Sequence, residues 1–467
     1  MYLEAMRIRK EILGENHPDY ANSLNNLAGI SCKIGSYENA EPLFIETLRI
    51  TKEILGENHP YYATSLNNLA GLYFATGNYE KAEQMFHEAL RITREILGEN
   101  HHDYAASLNN LAVFYSATGN YEKSELMFLE ALRILKEILG EDHPDYAASL
   151  NNLASVHDAN GNYEKAEPLL IESNNIILDQ FGKSSTFMSE KEREALIDEL
   201  AYNFDRFDSF SLCCSVNKSL MFEATLKYNI NIKEAILSSI SHTRNRILQS
   251  GDSAQISKFY SLSGLKKKIS MANEMSIDER NKKGFNLQSL EEEANILEKD
   301  LARSSKDYEE LLFYKNISGK DIQSKLEENE ALTEFIDFRY YEKRWTDTTY
   351  YCALVLRKDS KHPELVKLCT LDELSKLLSI CIDEKNSYIN SIETSKKLYE
   401  LIWQPLEKHL SGINKVYISP SGLLNKVSFY ALSPDGKNYL IDKYRITYVG
   451  NPKDIVTFKK RGTEQQS

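Results

Sequence analysis

HPDYANSLNNLAGISCKIGSYENAEPLFIETLRITKEILGEN, residues 17–58, decides the fold because it recurs with a period of 42 residues. His-Pro-Asp-Tyr starts at His17 and again at His143, with His-Pro-Tyr-Tyr at His59 and His-His-Asp-Tyr at His101. Asn-Asn-Leu-Ala keeps the same register at Asn25, Asn67, Asn109 and Asn151. Glycine follows at Gly35, Gly77, Gly119 and Gly161, each with a tyrosine two places on, at Tyr37, Tyr79, Tyr121 and Tyr163. Agreement over four copies excludes chance, and a repeat of this length indicates stacked supersecondary units.

Each unit reads as two helices. The first, helix A, opens near Pro18, where a missing N–H costs nothing, and turns Ala21, Leu24, Ala28 and Ser31 inward at helical spacing. Gly35 supplies the left-handed residue that ends it. Ser36, or Asn78, Asn120 and Asn162 in the other copies, then suits the N-cap of helix B, with Glu38, Glu80, Glu122 and Glu164 at the positive end of its dipole. Ala40, Phe44 and Leu48 form the inward stripe of helix B, and Gly56, Gly98, Gly140 and Gly182 are expected to end the B helices. The recurring histidines lie a whole repeat apart, so turn and capping duty is expected of them rather than metal binding.

One such hairpin cannot bury its apolar stripe alone. Successive hairpins therefore stack, and a small rotation per repeat winds them into a superhelix with a concave groove. Helix A positions opposite the buried stripe should line that groove, among them Asn22, Asn26, Gly29 and Lys33 in the first full unit and Thr64 in the next. Asn26, Asn68, Asn110 and Asn152 make one row, and Gly71, Ala75, Ala106 and Ala117 beside them leave room for a ligand backbone. An asparagine amide offers donors and an acceptor, as the main chain of an extended peptide requires. The alternative is that these amides bond only between neighbouring helices. Tyr2 to Gly14 aligns with Phe44 to Gly56, so the first residues read as a B helix, from a truncated unit or from one whose predecessors lie upstream.

The run HPDYANSLNNLA, GSYENAEPLF, IETLRITKEILG resembles the 42-residue tetratricopeptide repeats of kinesin light chains, over residues 1 to 182. That resemblance implies an α-solenoid whose groove binds a protein or peptide.

From Lys183 to Lys325 the repeat lapses into helical segments, with Glu190 to Asn203 and Leu287 to Leu312 helical in spacing. Leu290, Leu297, Leu301, Tyr308 and Leu312 suggest a long hairpin arm. Residues 326–467 change character. Ala331 to Tyr340, Tyr350 to Leu356, Val416 to Ser419 and Arg445 to Val449 read as strands, and Leu371 to Ile382 and Ser395 to Leu410 as helices, an alternation expected of an α/β sheet.

LYELIWQPLEKHLSGINKVYISPSGLLNKVSFYALSPDGKNYLIDKYRITYV, residues 398–449, resembles the first half of the CHAT domain, a caspase- and separase-like cysteine peptidase module. The Ser-Pro-x-Gly turn at Ser419 to Gly422 and the segment Phe429 to Leu432 carry the likeness; Ser421 stands where an aspartate is usual and Ser428 where a proline is usual. The resemblance implies a cysteine nucleophile and a histidine base on strand ends beyond this segment. No histidine follows His409 and no cysteine follows Cys381, so the fold expected here is a partial caspase-like sheet, and no catalytic residue is assigned. Cys352, Cys369 and Cys381 sit in apolar patterns, His362 beside Pro363 in a turn, and His409 near a helix end, so no substitute dyad is expected among them.

Composition narrows the partners. With 56 Lys+Arg against 69 Asp+Glu the net charge is −13, and the basic clusters Lys266 to Lys268 and Lys459 to Arg461 are short, which disfavours nucleic acid. No stretch approaches the roughly 18 consecutive apolar residues of a membrane-spanning helix. Six cysteines without a CxxC pair fit neither a disulfide framework nor a zinc site, and no cofactor is called for. A cytoplasmic protein is expected: a peptide-binding repeat scaffold attached to a truncated peptidase-like domain, or a non-enzymatic adaptor whose α/β segment is a degenerate remnant. A kinesin-like cargo adaptor would rest on the repeats alone.

Overall fold

A computed structural model describes residues 2–185, 188–249, 252–273, 275, 280, 282–304, 317–342, 344–383 and 388–457. The chain divides into two compact units, Met1–Ile176 and Ile177–Ser467.

The first unit is a run of antiparallel helix pairs: α1 (Tyr2–Leu13), α2 (Pro18–Lys33), α3 (Tyr37–Leu55), α4 (Pro60–Ala75), α5 (Tyr79–Leu97), α6 (His102–Ala117), α7 (Tyr121–Leu139), α8 (Pro144–Ala159) and α9 (Tyr163–Ser185). Each A helix begins with a histidine cap. Nδ1 of His17, His59, His101 and His143 accepts the backbone N–H two residues on, every time at 3.1 Å. The imidazole thereby satisfies one of the amides that a helix start leaves without an intrahelical partner.

Each A helix closes on a glycine with φ between 74° and 85°, at Gly35, Gly77, Gly119 and Gly161. The next amide reaches back five residues, as from Asn78 N to Tyr73 O at 2.7 Å, a Schellman closure that turns the chain into helix B. The side-chain cap expected at the start of helix B forms at Asn120, which accepts from Lys123 N, but not at Ser36 or Asn78, whose carbonyls carry the first helical bonds alone. Gly182 does not end its helix. Without a His-Pro turn behind it α9 continues to Ser185, and the next helix starts instead from a capping box of Ser189 and Glu192.

Ala28, Ala40, Phe44, Leu69, Phe86 and Phe114 belong to one continuous buried cluster that runs from repeat to repeat. Each large side chain removed from water there contributes about 1.5–3 kcal/mol, available only when the neighbouring hairpin is present. Arg49, Arg91 and Arg133 add a surface ladder. Each bonds two glutamates of its own helix and the asparagine 33 residues earlier, Asn16, Asn58 and Asn100.

The second unit holds α10 (Glu190–Cys213), α11 (Lys218–Gln249), α12 (Ser253–Asn273), α13 (Leu287–Ser304) and α14 (Gly319–Lys325), followed by a five-stranded sheet. Helices α12 and α13 form the arm, with Leu262 and Leu265 packed on Ala294 and Leu301 and with Leu290 and Leu297 at the margin. Tyr308 and Leu312, expected to extend it, lie outside the described residues.

The strands are β1 (Glu330–Tyr341), β2 (Trp345–Arg357), β3 (Glu364–Thr370), β4 (Lys415–Ser419) and β5 (Arg445–Tyr448), in the order β3-β2-β1-β4-β5. The first three are an antiparallel meander, whereas β4 and β5 join in parallel, so strands and helices do not alternate throughout as the sequence suggests. β3, ELVKLCT, escapes a sequence reading because its burial is partial and its charges interrupt the apolar run. Helices α15 (Leu371–Asp383) and α16 (Tyr388–Leu398) fill the crossover to β4. The helix expected over Ser395 to Leu410 breaks into a π turn at Tyr399–Trp403 and a 3-10 turn at Gln404–His409, since Pro405 has no N–H to continue an α ladder. A short helix, α17 (Leu440–Lys443), precedes β5.

One face of the sheet buries Phe335, Tyr351, Val355, Trp403 and Phe429, and α10 packs against β1. At Gly422, φ is +49° and a Cβ would lie 2.4 Å from the Tyr351 hydroxyl, so this position of the Ser-Pro-x-Gly turn admits no side chain.

Candidate protein-binding face and strand-end cluster

In the first unit each A helix packs on the next A helix, so equivalent positions line up along the stack. In the second and third Asn-Asn-Leu-Ala segments the two asparagines part company. The first, at Asn67 and Asn109, donates to the serine of the following repeat, Ser107 at 3.0 Å and Ser149 at 2.7 Å. These bonds tie repeats together 40 residues apart.

The second asparagine lies toward the open side. Asn26 and Asn110 are exposed, as are Asn22 and Thr64, while Asn68 and Asn152 are half-buried. Asn68 donates to Asn25 of the preceding repeat at 2.8 Å, and the Thr64 hydroxyl bonds back to Pro60 O. Asn68 thus already has part of its amide committed between repeats. A Cβ placed on Gly29 or Gly71 would meet nothing within 4 Å, and the equivalent Val113 is exposed, so the surface beside the asparagine row is open.

The third repeat differs at one point of this edge. His102 replaces the proline of the other copies, and its Nε2 lies 2.8 Å from Asp145 Oδ2 of the next repeat. The hydrogen bond with Asp145 raises the His102 pKa against the opposing effect of burial.

The second unit gathers its buried charge where β1 and β4 run side by side. Lys233 of α11 places its ammonium 2.6 Å from Glu334 Oε1 on β1 and 2.8 Å from Ser419 Oγ on β4, and it also donates to Pro420 O. Glu334 and Ser419 are fully buried and are register partners across the parallel pair. Burial raises the Glu334 pKa although Lys233 opposes it, and burial likewise raises Asp337 on the other face of the strand. On α10, burial pushes the Asp205 carboxyl up to about 6, and Asp208 is raised too; Asp205 accepts from Arg339 N and Asp208 from Asn229.

Each of the described thiols and imidazoles weighed from the sequence has its own surroundings. Cys352 and Cys369 are buried, and burial raises both thiols, that of Cys369 to about 12. The His362 ring stands 2.8 Å from Pro363 O, and burial lowers the His409 pKa. Among the described residues no hydrogen bond joins either cysteine to either histidine. The side chain of Cys381 lies outside the described residues. No group of three or more His, Cys, Asp or Glu among the described residues is placed to hold a metal, and no described helix is long and apolar enough to cross a membrane.

Sequence reading missed Lys233 and the inter-repeat role of the first asparagine row. Lys233 carried no local signal, because its partners lie about a hundred residues or more downstream.

A tetratricopeptide-repeat family model matches residues 22–95, 62–137 and 103–173, a second matches residues 1–19, and the CHAT-domain model matches residues 393–467. No curated protein matches significantly. Among solved structures, BtubC (BKLC) from P. vanneervenii is 28% identical with a TM-score of 0.33, over 38% of this chain and 71% of that one. A putative kinesin light chain from Podosopora anserina with nearly identical TPR-like repeats is 26% identical with a TM-score of 0.31, over 38% and 85%. The apo form of RapI is 18% identical with a TM-score of 0.35, over 64% and 90%. The stacked hairpins of the first unit thus coincide with tetratricopeptide-repeat sequence over residues 1–173, and residues 393–467 carry CHAT-domain sequence.

Proposed function

We propose that the repeats bind an extended protein or peptide segment along the open side of their A helices. Asn22, Asn26, Thr64 and Asn110 offer it exposed polar groups, and Asn68 and Asn152 flank them. The observation that carries the reading is the division of labour at Asn109 and Asn110: the first amide spans to Ser149 of the next repeat, and its neighbour stays exposed on the open face. Main-chain amides of an extended ligand would pair with these side chains, the glycines and alanines nearby allowing its backbone to approach.

The CHAT segment is a second module joined to this scaffold. Within these 467 residues no histidine follows His409 and no cysteine follows Cys381, and the dyad implied by the family resemblance would require both. In a relative that carries the dyad, occupancy of the repeats would govern or direct cysteine proteolysis.

A test uses the full chain against a random peptide library displayed on phage. Enriched peptides should bind the native chain and lose affinity several-fold on Asn26→Ala with Asn110→Ala, with helix content by circular dichroism unchanged. Enriched peptides that bind both chains equally would refute the assignment of this face.

A further inference from the structure

The helix α10 ends in two adjacent cysteines at the rim of an open groove of about 780 Å³, which is also lined by Lys218, Lys367, Lys408 and His409. Cys213 is exposed, unlike the buried Cys352 and Cys369. Its Sγ lies 2.9 Å from the Tyr340 hydroxyl of β1. Tyr340 stacks edge-on against Tyr350 with ring centroids 5.0 Å apart, and the Lys367 ammonium sits 3.6 Å over the Tyr350 ring. A thiolate at Cys213 therefore meets a phenol donor directly and a cation just behind it.

We infer that Cys213 is a hydroperoxide-reactive modification site, a thiol held accessible beside Tyr340 and Cys214 and oxidised to the sulfenic acid. The thiolate sulfur attacks one peroxide oxygen; the S–O bond forms, the O–O bond breaks, and the second oxygen leaves as hydroxide and takes a proton from solvent. Sulfur loses two electrons and the peroxide gains them. If the Cys214 thiol then displaces the sulfenic hydroxyl, an S–S bond forms, and the hydroxyl departs with the thiol proton as water.

The electrostatics agree with the geometry. A hydrogen bond from Cys214 does most to bring the Cys213 thiol down to about 6; Tyr340 and Lys367 act in the same direction, and burial and Glu342 oppose them. The Tyr340 pKa is raised, first by burial and then by the thiol, which keeps its phenol protonated as the donor. Burial raises the thiols of Cys32, Cys352 and Cys369 instead. A thiol ionised at neutral pH and open to solvent reacts with peroxide; a buried protonated one does not.

The experiment treats the reduced full-length chain with hydrogen peroxide in the presence of dimedone and follows each cysteine peptide by mass spectrometry. Cys213 should be converted, as dimedone adduct or as the Cys213–Cys214 disulfide, about ten-fold or more faster than Cys32. Cys214→Ser should leave the adduct as the product, and Tyr340→Phe should slow conversion several-fold without altering the circular dichroism spectrum. Iodoacetamide alkylation of Cys213 should reach half its maximal rate near pH 6. Conversion of Cys213 no faster than Cys32, or a rate indifferent to Tyr340→Phe, would overturn the inference, as would an alkylation midpoint near the ordinary thiol value of about 8.5.

Discussion

The ammonium of Lys233 lies 2.6 Å from Glu334 Oε1, joining a helix to a strand 101 residues further along the chain. Glu334 is fully buried, and among the described residues its second oxygen, Oε2, has no hydrogen-bond partner, so its charge rests chiefly on Lys233, with the Ser419 hydroxyl as a lesser support. Lys233→Met should strand it and destabilise the second unit by about 3–5 kcal/mol, whereas adding Glu334→Gln to that variant should restore part of the loss. Urea unfolding followed by tryptophan fluorescence reads this unit selectively, because both tryptophans, Trp345 and Trp403, lie in it. A Lys233→Met chain with an unchanged midpoint would show that the pair is not a stabilising tie.

Asp205 gives the same unit a pH response. Burial pushes its carboxyl up to about 6 in the folded chain, above the ordinary value of 3.8. A group raised on folding contributes stability that is fully present below its unfolded pKa and is lost as pH rises through the folded value. Between pH 5 and pH 7 the native chain should therefore lose about 1 kcal/mol relative to Asp205→Asn, as the proton leaves the native carboxyl. Urea midpoints of the two chains at each pH provide the difference. Parallel curves would mean that Asp205 titrates alike in the folded and unfolded chain.

These long-range ties mark the limit of what the sequence discloses. The repeat was legible because every signal in it is local: His17 and its copies before a proline or its substitute, Gly35 and its copies at the turn, and Ala28, Ala40 and Phe44 at helical spacing. Strands β1, β2, β4 and β5 were legible from short apolar runs. β3 was not, because Glu364 and Lys367 interrupt a strand whose burial depends on pairing with β2. The meander likewise follows from that pairing and from no residue alone. Of the candidate binding face, the asparagine pairs were visible but not which member spans the repeats. That choice rests on where the serine 40 residues on comes to lie, a consequence of stacking.

The histidine caps invite a direct comparison of side chains. Nδ1 of His101 accepts from Asp103 N at 3.1 Å, a bond that alanine cannot make and asparagine can. His101→Ala should cost about 1 kcal/mol and His101→Asn much less. Hydrogen exchange at the first turn of α6 should accelerate in the first variant and stay near the native rate in the second. Equal exchange in both would assign the cap no energetic role.

The two asparagines Asn68 and Asn110 occupy the same position of successive repeats but different surroundings, and this separates binding from packing. Asn68 is half-buried and donates to Asn25 at 2.8 Å, so Asn68→Ala removes an inter-repeat hydrogen bond and should lower the stability of the first unit by about 0.5–1.5 kcal/mol. Asn110 is exposed, and truncating it there should leave stability within about 0.5 kcal/mol. If the A-helix face takes an extended peptide, the order reverses for binding: Asn110→Ala should weaken capture of a library-selected peptide in isothermal titration while the thermal melt stays in place. A peptide whose affinity falls only with Asn68→Ala, in step with the melting temperature, would reduce the asparagine row to a device for stacking hairpins. Because exposed amides contribute little to folding, a selective loss of affinity at Asn110 could arise only from contact with the ligand.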